Sequence, residues 1–188
     1  MRRLFFIFML FAGAAFAQEY LSPCDIDLSP DGQSAYITTA TGKSVLQFDL
    51  DKQAVTQTFP LPAELTGLTV SGEGTLYVTG GGHQGRVWAL NPSGEIFQTL
   101  ETGHTPTAPV LSPDGKTLTV CNRFDNDVSF IDLASGKTVA RVPVLREPIA
   151  ADITPDGKTL FVANHIPDGP ADVDYVASKI SVIDTQTR

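Results

Sequence analysis

The stretch Leu111–Leu133, LSPDGKTLTVCNRFDNDVSFIDL, decides the fold because it is the clearest copy of a unit that the chain repeats four times. The unit holds a turn, a strand, a polar loop and a second strand that ends on an aspartate. Successive turns start 42, 41 and 42 residues apart. They are Ser29–Gly32, Ser71–Gly74, Ser112–Gly115 and Thr154–Gly157. A period in the low forties with strand patterning inside each unit is typical of a blade repeat.

Each unit predicts four antiparallel strands that are rich in β-branched and aromatic residues. In three of the four units a Pro-Asp-Gly turn of type I geometry joins the first two strands, and the second unit has Ser71–Gly74, SGEG, at this place. The third strand ends on a short hydrogen-bond acceptor, which we interpret as a turn former rather than as a catalytic carboxylate. The four acceptors are Asp49, Asn91, Asp132 and Asp184. The last unit lacks its fourth strand. Such units in series predict an all-β fold, a β-propeller with four-stranded antiparallel blades.

The strand after each turn resembles the YVTN β-propeller repeat. The matching columns are Tyr36–Thr39, Tyr77–Gly80, Thr119–Asn122 and Phe161–Asn164. The resemblance covers essentially all of residues 18–188 and is specific for the fold rather than for a function. It implies about seven blades, of which this chain carries about three and a half. We therefore expect a fragment of a longer propeller, the alternative being a ring assembled from several chains.

The first 17 residues predict a secretory signal peptide. Arg2 and Arg3 precede an apolar run, Leu4–Phe16, and small residues precede a cleavage point after Ala17. The run is too short for a membrane span, which needs about 20 residues. We expect a protein of the periplasm or cell exterior, with no membrane span after cleavage. The partial propeller, 18–188, then divides into repeats at about 24–62, 63–105, 106–147 and 148–188.

The charge of the chain excludes one class of partner. Loss of Arg2 and Arg3 with the signal peptide moves the formal net charge from −8 to −10, and no basic run occurs. Nucleic acids and anionic membrane surfaces both attract clustered Lys and Arg. We therefore expect no nucleic acid partner.

The two cysteines, Cys24 and Cys121, would be able to pair in an oxidising compartment. The alternative is that both are separate small apolar residues. The repeat alignment places them in the first and third blades, which are not adjacent, and this disfavours a Cys24–Cys121 disulfide.

Propeller topology collects the candidate binding residues on one surface, the loop face. This face holds the blade-to-blade loops and the loops between second and third strands. The candidates are His83, His104, Arg123, Arg146 and His165. The histidines suit a metal, although their spacing matches no ligand motif. The arginines suit a carboxylate or phosphate, the alternative being ion pairs with Asp125, Asp127 or Glu147.

The fourth unit is ten residues longer than the others between its turn and its closing aspartate, and the extra length falls in His165–Ser178. Its carboxylates, Asp168, Asp172 and Asp174, are of the oxygen type that Ca²⁺ prefers, without EF-hand spacing. The alternative is a solvated insertion, since loops on rigid scaffolds tolerate growth.

Two segments, Cys121–Phe124 and Asn164–Pro167, resemble exported bacterial propellers that accompany cytochrome c-type or peroxidase-like haem domains. The chain has no C-x-x-C-H, so it cannot attach a c-type haem by itself. We expect no cofactor on this chain; the resemblance implies a haem only on a missing or separate domain.

Two functional hypotheses follow. The first is an exported propeller that binds a protein or small-molecule ligand through its loop face, as a scaffold. The alternative is an enzyme module, either a propeller lactonase or the propeller part of a haem- or quinone-linked oxidoreductase. The sequence has no G-x-S-x-G motif and no Ser/His/Asp arrangement of familiar spacing, so no catalytic residue is assigned.

Overall fold

The computed structural model describes residues 20–167 and 177–188, which form strands and turns. These residues contain no helix, and so none that is long and apolar enough to cross a membrane. Blade one comprises β1 Pro23–Leu28, β2 Ser34–Thr39, β3 Ser44–Asp49 and β4 Ala54–Pro60. Blade two comprises β5 Leu65–Val70, β6 Leu76–Gly80, β7 Arg86–Leu90 and β8 Ile96–Glu101. Blade three comprises β9 Pro106–Leu111, β10 Thr117–Asn122, β11 Asp127–Asp132 and β12 Lys137–Pro143. Blade four comprises β13 Pro148–Ile153, β14 Thr159–Asn164 and β15 Ile180–Asp184.

Each blade is an antiparallel sheet in which every strand pairs with the next along the chain. The first strands of successive blades, β1, β5, β9 and β13, contact one another and form the inner side of the array. The sequence prediction of an all-β propeller is therefore confirmed. In the described residues it has three four-stranded blades and one three-stranded blade.

The hydrophobic core lies between blades rather than inside one sheet. Three apolar clusters each join two successive blades. In the first cluster, Tyr36 and Val45 of blade one pack with Leu68 and Trp88 of blade two. Because both faces of a middle blade are covered, its strands alternate weakly between apolar and polar residues. Each fully buried Leu or Val side chain contributes about 1.5–3 kcal/mol.

The Pro-Asp-Gly turns have the predicted hydrogen bonds. In the first turn, the Gly32 N–H donates to the Ser29 carbonyl at 2.8 Å. The Asp31 carboxylate accepts the Ser29 hydroxyl at 2.5 Å and the Gln33 N–H at 3.0 Å. The turns of blades three and four repeat this arrangement. The acceptors that end the third strands also bind downstream N–H groups, which confirms their turn-forming role.

Three blades begin with a left-handed residue followed by proline. The left-handed residues are Ser22 (φ 50°), Thr105 (φ 51°) and Glu147 (φ 51°), before Pro23, Pro106 and Pro148. In this conformation each carbonyl points to the start of the loop between the second and third strands of the same blade. The three carbonyls accept the N–H of Ala40, Arg123 and His165 at 2.9, 3.1 and 2.8 Å, respectively. Backbone bonds therefore fix the loop face.

Candidate functional site

The loops between blades and the loops inside them meet on one surface, as the sequence predicts. Thr105, between blades two and three, donates its N–H to the Gly82 carbonyl at 2.7 Å, while its own carbonyl accepts from Arg123. Val144, in the next blade-to-blade loop, donates to the Asn126 carbonyl at 2.9 Å. Each blade-to-blade loop is thus tied to the blade before it, and the loop face is continuous.

Six side chains of blades two to four form a line across this surface, which we call the loop-face band. Its members are His83, His104, Phe124, Arg123, Glu147 and His165. The His83 and His104 ring centroids lie 6.5 Å apart, edge to face, and the His104 and Phe124 centroids lie 5.1 Å apart. Phe124 is 48 % exposed, a high value for a large apolar side chain. The band therefore offers aromatic surface to solvent at this end.

The other end of the band is ionic. Arg123 donates from Nη2 and Nε to Glu147 Oε2, at 2.7 and 3.0 Å. Its guanidinium carbon also lies 5.1 Å from the centre of the Phe124 ring, a cation–π distance. His165 Nδ1 lies 3.7 Å from the same Glu147 oxygen. The Arg123 guanidinium is the main cause that lowers the pKa of the Glu147 carboxyl, so the pair is ionic at neutral pH.

Backbone contacts hold the band in place. The Glu147 N–H donates to Asn126 Oδ1 at 2.9 Å, so its left-handed backbone is bonded on both sides. The His104 N–H donates to Asp125 Oδ2 at 2.9 Å. The preceding N–H, of Gly103, donates to Asn122 Oδ1 at 2.8 Å. These bonds from backbone N–H groups fix the loops that carry the band, and none of them involves a ring nitrogen of a histidine.

A second ionic group, which the sequence did not predict, lies beside the band. Arg141 of β12 binds Asp125 at 2.6 Å and Asp127 at 3.1 Å. The His104 N–H, followed by Arg141, lowers the pKa of the Asp125 carboxyl. The predicted alternative of an ion pair is thus observed for Arg123, with Glu147 as the partner, whereas Asp125 and Asp127 bind Arg141.

The five predicted site residues all lie on the loop face, but they are not one cluster. His83 and His104 are adjacent, whereas Arg123 and His165 meet through Glu147. Arg146 is exposed and forms no ion pair within the described residues. Phe124 and Glu147 join the groups and were not predicted as ligand-binding residues. For Phe124 the sequence does contain a signal, which is an aromatic residue in the otherwise polar loop after β10.

His83 and His104 are ring neighbours, whereas His165 contacts Glu147. In residues 20–167 and 177–188, no group of three or more His, Cys, Asp or Glu side chains is suited to a metal. The predicted calcium ligands Asp168, Asp172 and Asp174 lie outside the described residues. Cys24 is exposed, Cys121 is buried, and both are free thiols.

A cavity of about 380 Å³ opens on the inner side of the array, among the first strands of the four blades. Its two carboxylates, Asp25 and Asp27, are already hydrogen-bonded to the neighbouring blade. Asp25 Oδ2 accepts the Leu68 N–H, and Asp27 Oδ2 accepts the Val70 N–H, both at 2.9 Å. These two aspartates therefore join blades one and two.

Comparison with known proteins places this propeller in a family. The family described as SMP-30/Gluconolactonase/LRE-like region matches residues 15–124, which is more than half of the chain. The chain belongs to this family. Its SMP-30/gluconolactonase-like match covers blades one and two and the first two strands of blade three. Four of the six residues of the loop-face band lie inside the match, namely His83, His104, Arg123 and Phe124.

Solved structures agree with the fold of this SMP-30/gluconolactonase-like chain. A Kuenenia stuttgartiensis hydrazine synthase chain is similar, with a TM-score of 0.77 and 25% identity over 94% of this chain and 49% of that chain. A functionally unknown protein from Desulfotomaculum acetoxidans has a TM-score of 0.69 and 19% identity over 89% of this chain and 53% of its own. The chain thus spans about half the length of these structures. No curated protein matches it. The narrower YVTN assignment stays a prediction.

Proposed function

We propose that this chain is the propeller of an exported binding protein, and that the loop-face band contacts the ligand. The observation that carries the proposal is the continuity of the band, in which exposed and half-buried aromatic, imidazole and guanidinium groups of three blades lie side by side. Loops that a rigid β scaffold positions are the common place for binding residues. The signal peptide predicted at residues 1–17 supports export.

The chemistry of the band suggests the ligand class. Phe124 and His104 provide aromatic edges, and Arg146 provides an exposed cation. Arg123 is already neutralised by Glu147. A protein segment or small molecule that carries an apolar ring next to a carboxylate or phosphate would contact both kinds of group.

Chemical shift mapping with benzoate and phenyl phosphate tests this proposal on the purified, isotope-labelled chain. We expect the amide signals of 104, 123–126 and 146–147 to shift, and the shifts to shrink at least about fivefold in the double variant His104→Ala/Arg146→Ala. The matched control is Lys116→Ala/Lys158→Ala, which removes two cations on the opposite, turn-bearing face. Shifts confined to the turn face, or equal shifts in both variants, would contradict the proposal.

An enzyme module is the second candidate, and the family match favours it because the family description includes gluconolactonase. The likeness to a hydrazine synthase chain likewise favours a propeller part of an oxidoreductase, with any haem or quinone on another domain. Imidazoles at the surface can serve as general acids or bases. Hydrolysis of δ-gluconolactone, measured by acid release, tests the lactonase. The enzyme module would be supported, and the binding proposal abandoned, if the chain hydrolyses the lactone and a fivefold alanine variant does not. The variant replaces His83, His104, Arg123, Arg146 and His165.

A further inference from the structure

Two blade-to-blade loops share one backbone frame. They are residues 102–105, before blade three, and residues 144–147, before blade four. The first residue of each loop donates its N–H to a carbonyl of the preceding blade, at 3.2 and 2.9 Å, respectively. The last residue, Thr105 or Glu147, is left-handed with a φ of 51° and is followed by proline. The residues inside the two loops are therefore directly comparable.

The second residue of the loop makes a close hydrogen bond in one case and not in the other. Gly103 donates its N–H to Asn122 Oδ1 at 2.8 Å. The equivalent residues are Leu145 and Asn164. Leu145 instead donates to Ser181 Oγ at 3.4 Å, beyond the usual N–H···O range of about 2.7–3.2 Å. Asn164 Oδ1 is buried and has no hydrogen-bond partner in the described part of the chain. The acceptor is thus present in blade four, whereas the bond is not formed.

The Asn164 side chain is oriented as its counterpart in blade three is. Its Nδ2 donates to Ser181 Oγ at 3.0 Å, just as Asn122 Nδ2 donates to Ser129 Oγ at 2.8 Å. Asn164 Nδ2 also donates to the Lys179 carbonyl at 2.8 Å. The amide nitrogen therefore faces the third strand and Oδ1 faces the loop. A buried acceptor without a donor is unfavourable, so the missing bond needs a physical cause.

The Cβ of Leu145 accounts for the missing bond. A Cβ added to Gly103 would lie 2.6 Å from Asn122 Cγ, closer than two carbon atoms approach unless one of them shifts. Blade two is consistent with this pairing of loop and strand. Its loop has Pro62 at the equivalent place, which has no N–H, and its strand ends on Gly80, which has no side-chain acceptor. Donor and acceptor are thus present together or absent together in all three loops.

We infer that Leu145 and Arg146 form a strap, which closes onto Asn164 when the loop-face band binds its ligand. In the closed form the Leu145 N–H bonds to Asn164 Oδ1, as the equivalent groups do in blade three. Both ends of the loop are fixed, because its first N–H and the Glu147 N–H both donate to Asn126 at 2.9 Å. Only the two residues between them move. Closing displaces the Asn164 side chain slightly, so the closed form is the minor one in the free chain.

Closing would fix the position of the exposed Arg146 cation beside the band. In the closed loop of blade three, His104 follows the glycine and packs on Phe124, with 5.1 Å between the ring centroids. Arg146 has the same place in its own loop, is exposed and forms no ion pair within the described residues. A fixed cation binds an anionic group better than a moving one, so the ligand favours the closed form. This link rests on the proposed function, in which Arg146 contacts the ligand.

Amide hydrogen exchange at residue 145 tests the strap without any ligand. After correction for intrinsic rates, we expect exchange at least about tenfold slower in Leu145→Gly than in Leu145→Ala, because only glycine removes the Cβ. Glycine is the more flexible residue, so without the new bond its amide would not be the slower one. The slowing should disappear in Leu145→Gly/Asn164→Ala.

Equal exchange in the two single variants at position 145 would overturn the inference, as would slow exchange that survives Asn164→Ala. Circular dichroism confirms that each variant is folded. If Asn164→Ala prevents folding, the comparison of glycine with alanine at position 145 decides the question by itself.

A benzoate titration followed by amide chemical shifts tests the link to the ligand. We expect Leu145→Gly to bind at least about fivefold more tightly than Leu145→Ala, because apparent affinity scales with the populated fraction of the competent form. Adding Arg146→Ala to both variants should remove this difference. Equal affinities of the two single variants would overturn the link. A lack of binding by every protein, wild type included, would contradict the proposed function and the link together, while the exchange comparison decides the strap separately.

Discussion

Asn122 Oδ1 accepts the Gly103 N–H at 2.8 Å, across the junction between blades two and three. The amide nitrogen of the same side chain donates to Ser129 Oγ at 2.8 Å and to Asp127 Oδ1. Asn122 is fully buried, and it ends β10. A single buried amide thus connects the strand after the turn, the third strand of its own blade and the loop that carries His104.

Replacement of Asn122 by alanine should lower the free energy of unfolding by about 3 kcal/mol. The change leaves the buried Gly103 N–H and the Ser129 hydroxyl without this partner, and each unsatisfied buried group costs about 1–3 kcal/mol. Urea unfolding followed by circular dichroism measures the difference. Gln57→Ala, on the exposed strand β4, is the control and should stay within about 0.5 kcal/mol of wild type. Equal stability of the two variants would contradict this role.

Two glycine-to-alanine variants should differ although both glycines are left-handed. Gly32 (φ 67°) has no heavy atom within 4 Å of an added Cβ, whereas a Cβ on Gly94 (φ 85°) would overlap the Phe59 ring of blade one. Gly32→Ala should cost about 1 kcal/mol, from backbone conformation alone. Gly94→Ala should cost about 3 kcal/mol or more, because overpacking adds to it. Thermal unfolding compares them, and equal costs would mean that Phe59 moves aside freely.

The turns should contribute to a loss of stability in acid. Hydroxyl groups of Ser or Thr, with a backbone N–H, lower the pKa of the turn carboxyls, which are Asp31, Asp114 and Asp156. A lowered folded-state pKa gives stability that is present above the unfolded value, near pH 4, and is lost as the pH falls through the folded value. The triple variant with asparagine at these positions should therefore lose less stability below about pH 4. Urea titrations at pH 7 and in acid measure both proteins; parallel acid losses would argue against the turns.

The two thiols should differ in reactivity. Burial raises the pKa of Cys121 to about 12, so this thiol is neutral and inaccessible in the folded chain. Cys24 is exposed and free, so a reagent reaches it although partial burial raises the pKa of this thiol as well. A disulfide reagent near pH 8 should label one thiol in the native chain and two in urea, and Cys24→Ser should abolish the native label. Labelling of neither thiol in urea without reductant would indicate a Cys24–Cys121 disulfide instead.

Most of the fold could be predicted from the sequence because its signals are local and repeated. A Ser-Pro-Asp-Gly turn, such as that at Ser112, closes its own hydrogen bonds within five residues, and the period then gives the blades. The alternation that usually marks a half-buried strand was weak, which fits strands covered on both sides.

The candidate site was predicted less completely because its contacts join distant parts of the chain. Arg141 reaches Asp125 from β12, and the register of β11 and β12 shifts between Phe130 and Ile131. Such a shift has no signature in a single sequence. Glu147 was considered only as an ion-pair partner. Its role as the link between Arg123 and His165 depends on a left-handed backbone that glutamate rarely adopts.

The left-handed residue before proline at the start of three blades has a consequence for protein engineering. Ser22, Thr105 and Glu147 differ in size and charge, yet they share one backbone conformation and one carbonyl contact. The backbone conformation at this position therefore does not depend on which of these three side chains is present. Libraries randomised at these three positions should keep the fold while changing what the surface recognises, so new specificities should be selectable without compensating mutations in the core.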